Sequence, residues 1–474
     1  MFLSFLLPFA ARGQEASYLW VLYKQITHMT PQEVAFVGSA EYFLSPEEFV
    51  RSERWDISAH SRDYAGFHIP TLDELSRYTR YQLPDNLFAT WQAIDPDVDR
   101  VMQRILTERC TKLETALREV LVEATAVHQI EALFSWCNVP SLAAIAAEFD
   151  LPVVHAELGP LRAPCYHWTA YFDFSGVNGN TEAQRRFERF QANREADEPP
   201  LLSTQEMRSL LVINPALREP MPDPDFAIGL PLQVENDTNI IAFANGWSND
   251  RLIAAASAIY GRDMTLLRKH PGGLRDYSDE QASIDRSTNS IDFINRCARI
   301  ATINSSVGLE ALLFDRETVF LGDNPCAFAA LNSLDQLATD RSQGNRLPAL
   351  NFLLFGYLIP YEFLFDPDYL RWRLSGPSEI EIYRFHLGYV KQRQRSIAEG
   401  PRLGAAELCL VDRGLFKFWQ MQARALGRRA DALEGRADAL ERQCASLGKT
   451  LENTQNSWSW RLTSPLRWIR QACE

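Results

Sequence analysis

The chain lacks the signatures on which most short-motif assignments rest. Its eight cysteines, at 110, 137, 165, 297, 326, 409, 444 and 473, form no Cys-x-x-Cys pair. That excludes a spaced zinc site and a dense disulfide framework, and suits reduced cysteines in a cytoplasmic protein. The histidines fall at no ligand spacing, and there is no Walker loop, no Gly-x-Ser-x-Gly elbow and no Gly-x-Gly-x-x-Gly fingerprint. Positive charge is scarce: 48 Lys+Arg stand against 61 Asp+Glu, a formal net charge of −13, which argues against a protein that wraps nucleic acid. No apolar run approaches the ~20 residues of a membrane span. The apolar start, Met1 to Ala10, carries no cationic lead and is interrupted by Pro8 and Arg12, so it reads as a buried first strand rather than a targeting segment.

What is present is an alternating pattern. With 474 residues, 46% of them hydrophobic, the chain has material for two or three packed domains. Val34–Gly38, Ala132–Trp136 and Pro152–Ala156 read as strands. A helix around Tyr18–Ile26, a long helix from about Asp97 to Val127 and an alanine-rich helix over 141–149 lie between them. Residues 182–200 read first as helix and then as linker. A second block follows, with strands at 226–230, 264–268, 299–303 and 318–322 and helices at 248–260 and 307–314. Strands alternating with helices predict parallel sheets covered on both faces, hence two successive Rossmann-like α/β domains, 1–240 and 241–410, with ligands bound outside the carboxyl ends of the strands.

Beyond 411 the character changes. Leu426, Leu433, Leu440 and Leu447 are seven apart, with Ala430, Ala437, Cys444 and Leu451 at the complementary offset, the a/d pattern of a weak coiled coil. Residues 420–474 carry a net +3, leaving −16 on the rest. Trp458, Trp460 and Trp468 interleave with Arg461, Arg467 and Arg470, a combination suited to a membrane interface or a partner groove. Oligomerisation or attachment to an assembly complex is the expectation for 411–474.

Chemistry-bearing residues cluster at the predicted strand ends. Thr302-Ile-Asn304-Ser305-Ser306-Val-Gly308-Leu-Glu310 follows a strand and opens a helix. A serine pair there caps the helix and exposes backbone amides to a phosphate, Gly308 permits close ligand approach, and Glu310 can accept from sugar hydroxyls. Lys269-His270-Pro271 ends another strand in a basic turn able to neutralise a leaving phosphate. Glu157, before Gly-Pro and Arg162, is placed for acid/base work, with Asn178 on the next loop; Gln233, Glu235 and Asp237 lie where the two blocks join. A plain cap or turn acid is the competing reading for each carboxylate.

Taken together, Lys269-His270-Pro271 and Asn304-Ser305-Ser306-x-Gly308-x-Glu310 resemble the His-Pro and Ser-Ser motifs of transferases that use CMP-activated acidic sugars. Glu157-x-Gly159-Pro-Leu-Arg162, Gly176-Val-Asn178 and Pro231-Leu-Gln233 with Asp237 narrow the resemblance to the retaining β-Kdo glycosyltransferases of bacterial capsule and O-antigen synthesis. It covers roughly residues 150–325. The resemblance implies a B-type glycosyltransferase fold and CMP-Kdo as donor, with no metal cofactor. The β configuration would be retained on transfer to a lipid-linked surface-polysaccharide acceptor at the inner face of the cytoplasmic membrane. It further implies that Lys269, His270, Pro271, Asn304, Ser305, Ser306 and Gly308 hold the CMP and that Glu310 binds its ribose. Asp237, or Glu235 in its place, is then the nucleophile and Glu157 the acid/base, with Arg162, Asn178 and Gln233 on the substrate. The alternatives are a transferase for another CMP-activated sugar of the sialic acid kind, an inverting enzyme, or a non-catalytic assembly subunit.

Overall fold

Apolar runs too short for helices set the strands. Phe2–Phe5 and Val34–Gly38 are buried at every position, as strands covered on both faces must be. In chain order the strands are β1 (Phe2–Phe5), β2 (Val34–Gly38), β3 (Arg80–Gln82), β4 (Ala132–Ser135), β5 (Val153–Leu158) and β6 (Thr169–Asp173). They continue with β7 (Ile228–Pro231), β8 (Thr265–Arg268), β9 (Ser283–Ile284), β10 (Arg299–Thr302), β11 (Glu317–Phe320) and β12 (Ile359–Pro360). The computed structural model describes residues 1–8, 18–45, 47–48, 69–195, 198, 200–273, 275–277, 282–339 and 346–399. The predicted coiled coil and the Trp/Arg-rich end lie outside the described residues. Met1–Lys391 forms one compact unit, and among the described residues no helix is long and apolar enough to cross a membrane.

Two sheets result, of order β12-β6-β5-β4-β1-β2-β3 and β11-β10-β7-β8-β9. Counted within each sheet, the parallel strands follow the doubly wound order 3-2-1-4-5, the architecture of two Rossmann-like halves expected above. The first sheet departs from the all-parallel expectation at one edge, where β6 runs antiparallel to β5 and β12 antiparallel to β6. The short connection from Leu158 to Thr169 cannot hold the crossover of about a dozen residues that a parallel return needs. The reversal sets Glu157 opposite Tyr171 and His155 opposite Asp173.

Two further expectations are corrected. The long helix of 97–127 is two helices, Val98–Thr107 and Thr111–Val127. Glu108 and Cys110 are extended, and the Cys110 amide donates to Ser141 Oγ at 2.7 Å. Ile105 and Leu113 keep helical phase across the break, so apolar spacing conceals it. The boundary at 240 also fails, because β7 already belongs to the second sheet and β12 returns to the first. The crossing therefore happens twice, once between β6 and β7 and once between β11 and β12.

Both crossings are tied by one buried cation. The stretch expected to lead into a linker forms the helix Ala183–Ala192. Its Arg186 donates through Nε to both Glu379 carboxylate oxygens, at 3.2 and 3.0 Å, through Nη1 to Phe172 O and through Nη2 to Gly356 O. The ion pair is 2% and 7% exposed. A single apolar core continues around it, joining Leu161, Tyr171 and Phe190 to Leu266, Ile300 and Phe352. Removing Arg186 leaves the buried Glu379 carboxylate with the half-exposed Arg189 as its remaining cation, at 2.9 Å. Arg186→Ala is expected to lower unfolding free energy by about 3–5 kcal/mol in urea titration, whereas Arg118→Ala, breaking the exposed pair with Glu148, leaves the midpoint nearly unchanged.

Candidate functional site

In the second sheet β7 lies between β8 and β10, so the chain winds outward in opposite directions from it. That is the switch point at which such sheets open a crevice beyond their carboxyl ends. The segments leaving β7, β8 and β10 carry Asp237, Lys269-His270 and Ser305-Ser306, three of the expected site pieces, from adjacent strands.

Asp237 is the N-cap of the helix Thr238–Phe243, its Oδ1 accepting from the Asn239 amide at 2.9 Å. Glu235 faces elsewhere: its Oε1 accepts from the Tyr277 hydroxyl at 2.9 Å, and that hydroxyl accepts from Asn249 Nδ2 at 2.9 Å. Burial and the Glu235 bond push the Tyr277 phenol up to about 12. Gln233 and Asn304 bind each other. Gln233 Nε2 donates to Asn304 Oδ1 at 2.8 Å and the Asn304 amide donates back to Gln233 Oε1 at 3.2 Å. Asn304 Nδ2 also donates to Asn239 O and Phe243 O. These two amides, expected to touch ligand, clasp the β7 and β10 segments together.

The turn after β8 holds His270 by its own backbone. The Gly273 amide donates to His270 O and the Gly272 amide to His270 Nδ1, at 2.9 and 3.0 Å. A ring accepting at Nδ1 carries its proton on Nε2, so the neutral imidazole offers an N–H donor. Partial burial lowers its pKa, opposed by Asp237 and Glu235 and assisted by Arg162 and Arg268. Lys269 and Pro271 are exposed beside it.

Two expectations on the β10 segment change. Ser306 is the N-cap of the helix Val307–Leu313 but makes no side-chain cap bond, while Ser305 Oγ accepts weakly from the Val307 amide at 3.4 Å. Gly308 is buried, and a Cβ there would stand 2.3 Å from the Phe320 ring. Packing on β11 by itself demands glycine there. Glu310 is 5% exposed and accepts from Ser290 Oγ at 2.5 Å. Burial pushes its carboxyl up to about 7 against the pull of Ser290, Tyr166, Arg268 and Arg162.

The first sheet supplies Glu157, near the end of β5. Burial raises its carboxyl to about 7, the negative charge of Asp237 adds to the rise, and Asn178 and Arg162 oppose it. Asn178 Nδ2 donates to Glu157 Oε2 at 2.5 Å. Arg162 is held at the strand end by Leu158 O and Gly159 O. Asn178 sits at φ 66°, a left-handed conformation that asparagine tolerates. Its loop is fixed by residues assigned no role above. Asp173 accepts from the Ser175, Gly176 and Glu182 amides. Asn138 accepts from the Val177 amide and donates to Gly179 O. The next residue, Gly179, packs so closely on Phe243 that a Cβ would lie 2.3 Å from its ring. One loop thus grips Glu157 and rests on the helix that Asp237 caps. The only sequence hint of this was an aspartate two residues before Ser-Gly, the mark of an Asx turn. Electrostatic coupling joins Glu157, Asp237, His270 and Arg162, so a carboxyl that changes state near pH 7, a second carboxylate, an imidazole and a guanidinium influence one another across the two sheets. Among the described residues no cluster of His, Cys, Asp and Glu suits a metal ion.

Residues 4–182 match the Glycosyltransferase 99 family N-terminal domain, whereas no curated protein matches the chain. Solved structures similar to it include the β-Kdo 2,7 transferase of Thermosulfurimonas dismutans KpsC, 15% identical over 54% of this chain and 90% of that one, with TM-score 0.38. The β-Kdo 2,4 transferase of the same protein is 16% identical over 47% and 79%, with TM-score 0.31. A Methanocaldococcus jannaschii UDP-GlcNAc 2-epimerase is 11% identical over 74% and 98%, with TM-score 0.26. Likeness at this level assigns no substrate.

Glu310 offers a direct test of how the crevice is charged. A carboxyl raised on folding contributes its stability below its ordinary value of 4.5 and loses it as pH rises through about 7. Glu310→Gln is therefore expected to raise the thermal unfolding midpoint relative to wild type at pH 8 and to lose that advantage at pH 5. Equal differences at the two pH values would contradict burial as the cause.

Proposed function

We propose that the chain, whose residues 4–182 match the Glycosyltransferase 99 family N-terminal domain, moves Kdo from CMP-Kdo to a bacterial surface glycan, retaining the β configuration by double displacement. The observation that carries this reading is the pairing, across the two sheets, of Glu157 with Asp237, in which the charge of one carboxylate helps keep the other protonated near pH 7. Two carboxyls whose environments push them apart suit two different tasks.

In the first step the Asp237 carboxylate attacks the anomeric carbon and the bond to the CMP oxygen breaks, its electron pair leaving with the phosphate. Lys269 and the Nε2–H of His270 meet that phosphate, with the Ser305 and Ser306 hydroxyls beside them, so charge is stabilised where it develops. CMP leaves as a phosphate monoester and needs no acid. Esterified, Asp237 is neutral, and one cause of the raised Glu157 pKa disappears. Glu157 releases its proton to water, then takes the proton of the acceptor hydroxyl as that oxygen attacks the adduct and frees Asp237. Two inversions give net retention. Arg162 is the cation available to the Kdo carboxylate. Gln233 and Asn304 act by holding the loops, and Glu235 is retained by Tyr277 away from the nucleophile's role. In this reading the acceptor is lipid-linked and residues 411–474 attach the enzyme to the membrane face or to its assembly partners.

The test is incubation with CMP-Kdo and glycan acceptor, reading CMP release and the anomeric configuration by NMR. Intact-mass analysis of Glu157→Gln with donor alone should show one added Kdo, on Asp237. An inverted product or an unmodified Asp237 would overturn double displacement, and turnover of a CMP-sialic acid in place of CMP-Kdo would overturn the donor. Asp237→Asn is expected to lower transfer by about a thousandfold or more while CMP affinity stays near wild type. Glu235→Gln should stay within about tenfold of wild type; the reverse ranking would exchange the two roles.

A further inference from the structure

The segment that re-enters the first half contains an irregular turn. After the helix Leu347–Phe352 the chain widens into a π-helical turn, Leu353–Tyr357, before β12. Such turns leave the regular backbone ladder and re-aim a side chain. Here the re-aimed group is Tyr357, fully buried, with the Arg186 guanidinium 5.3 Å over its ring. Its hydroxyl donates to Asp173 Oδ2 at 3.0 Å, with Thr181 close by.

We propose that Tyr357, acting through Asp173, is a positioning residue for Glu157, coupling the re-entrant chain to the acid/base carboxyl; this rests on the acid/base reading of Glu157 given above. The path is continuous. Tyr357 fixes Asp173 Oδ2, which also accepts from the Glu182 amide at 2.9 Å. Oδ1 of the same carboxylate holds the Ser175 and Gly176 amides at 2.7 and 3.2 Å. Those amides open the loop whose Asn178 donates to Glu157. Every bond in the path is buried or partly buried, where a hydrogen bond orients its partners most strongly. Asp173 is wholly buried, so loss of one donor is not made good by solvent.

The charged and titratable groups facing Glu157 are Asp237 from the β7 segment, Arg162 from the loop after β5 and Tyr171 across the β5–β6 pair. Of these, Tyr171 packs its ring on that of Tyr357, centroids 6.3 Å apart, a contact that Tyr357→Phe keeps. Asn178 favours the ionised carboxylate, so loosening its bond should move Glu157 toward the protonated form. A role limited to packing would change stability and leave that titration where it is.

The experiment is carbon-13 NMR titration of the Glu157 carboxyl in full-length protein labelled at glutamate, the resonance assigned by its loss in Glu157→Gln. Tyr357→Phe keeps the ring and removes the hydroxyl. Asn178→Gly keeps the left-handed backbone and removes the amide. Both are expected to raise the Glu157 midpoint, each by about half a pH unit, and the double variant no further than Asn178→Gly alone. An unchanged midpoint in Tyr357→Phe, with Asn178→Gly shifted, would overturn the coupling. So would a fully additive double variant, because the two residues would then act independently. No substrate is needed, so a failure to transfer Kdo, which would sink the proposed function, leaves this result readable.

Discussion

A buried carboxylate holds the site together. Asp173 stands at the end of β6, between β12 and β5, and accepts from three backbone amides and one phenol. A carboxylate withdrawn from water is tolerable only when its lone pairs are matched in this way. Matching them leaves the loop from Phe174 to Asn180 no freedom to drift. That loop then does two things in consecutive residues: Asn178 holds Glu157, and Gly179 lies against Phe243 on the helix that Asp237 caps. The relation of the two carboxyls follows from one anchored turn.

The same logic of enclosed polar groups runs through the second half. Gln233 and Asn304 satisfy each other and reach the backbone of the Thr238–Phe243 helix. Tyr277, Asn249 and Glu235 close a second small network beside them. These bonds keep the strand-end segments in register. Among the described residues, Asp237 keeps one carboxylate oxygen beyond its cap bond and His270 keeps its Nε2–H beyond the turn. Charge balance there is narrow. Glu157 sits near neutrality because enclosure and Asp237 push one way while Arg162 and Asn178 push the other, and removing either influence shifts the pH at which it changes state.

Much of this was legible in the linear chain where the signal was local. Apolar runs such as Val34–Gly38 and Ile228–Pro231 fall on strands because burial on both faces demands unbroken hydrophobicity. His-Pro and Ser-Ser emerged at strand ends because basic and hydroxyl side chains beside glycine suit a turn and not a core. The helix break at Glu108–Cys110 stayed hidden because apolar spacing keeps phase across it. The packing demand on Gly308 stayed hidden because a glycine required by a distant phenylalanine looks, in one dimension, like a glycine required by a ligand. The domain boundary was misplaced because nothing in Ile359–Pro360 announces that a strand this short rejoins a sheet begun at residue 2.

By itself the sequence determined the strand and helix alternation, the two doubly wound halves, and the set of acidic, basic and hydroxyl residues at the strand ends, since each depends on neighbours within a few positions. Only the tertiary structure decided which of those residues face one another. It turned Asn304 and Gln233 inward as a clasp, held Glu235 against Tyr277, set Asp173 and Tyr357 against the loop that carries Asn178, and made Arg186 the tie between two chain crossings. Those assignments rest on pairings between residues up to 193 positions apart, and such contacts exist only once burial has chosen which polar groups must find partners inside the protein.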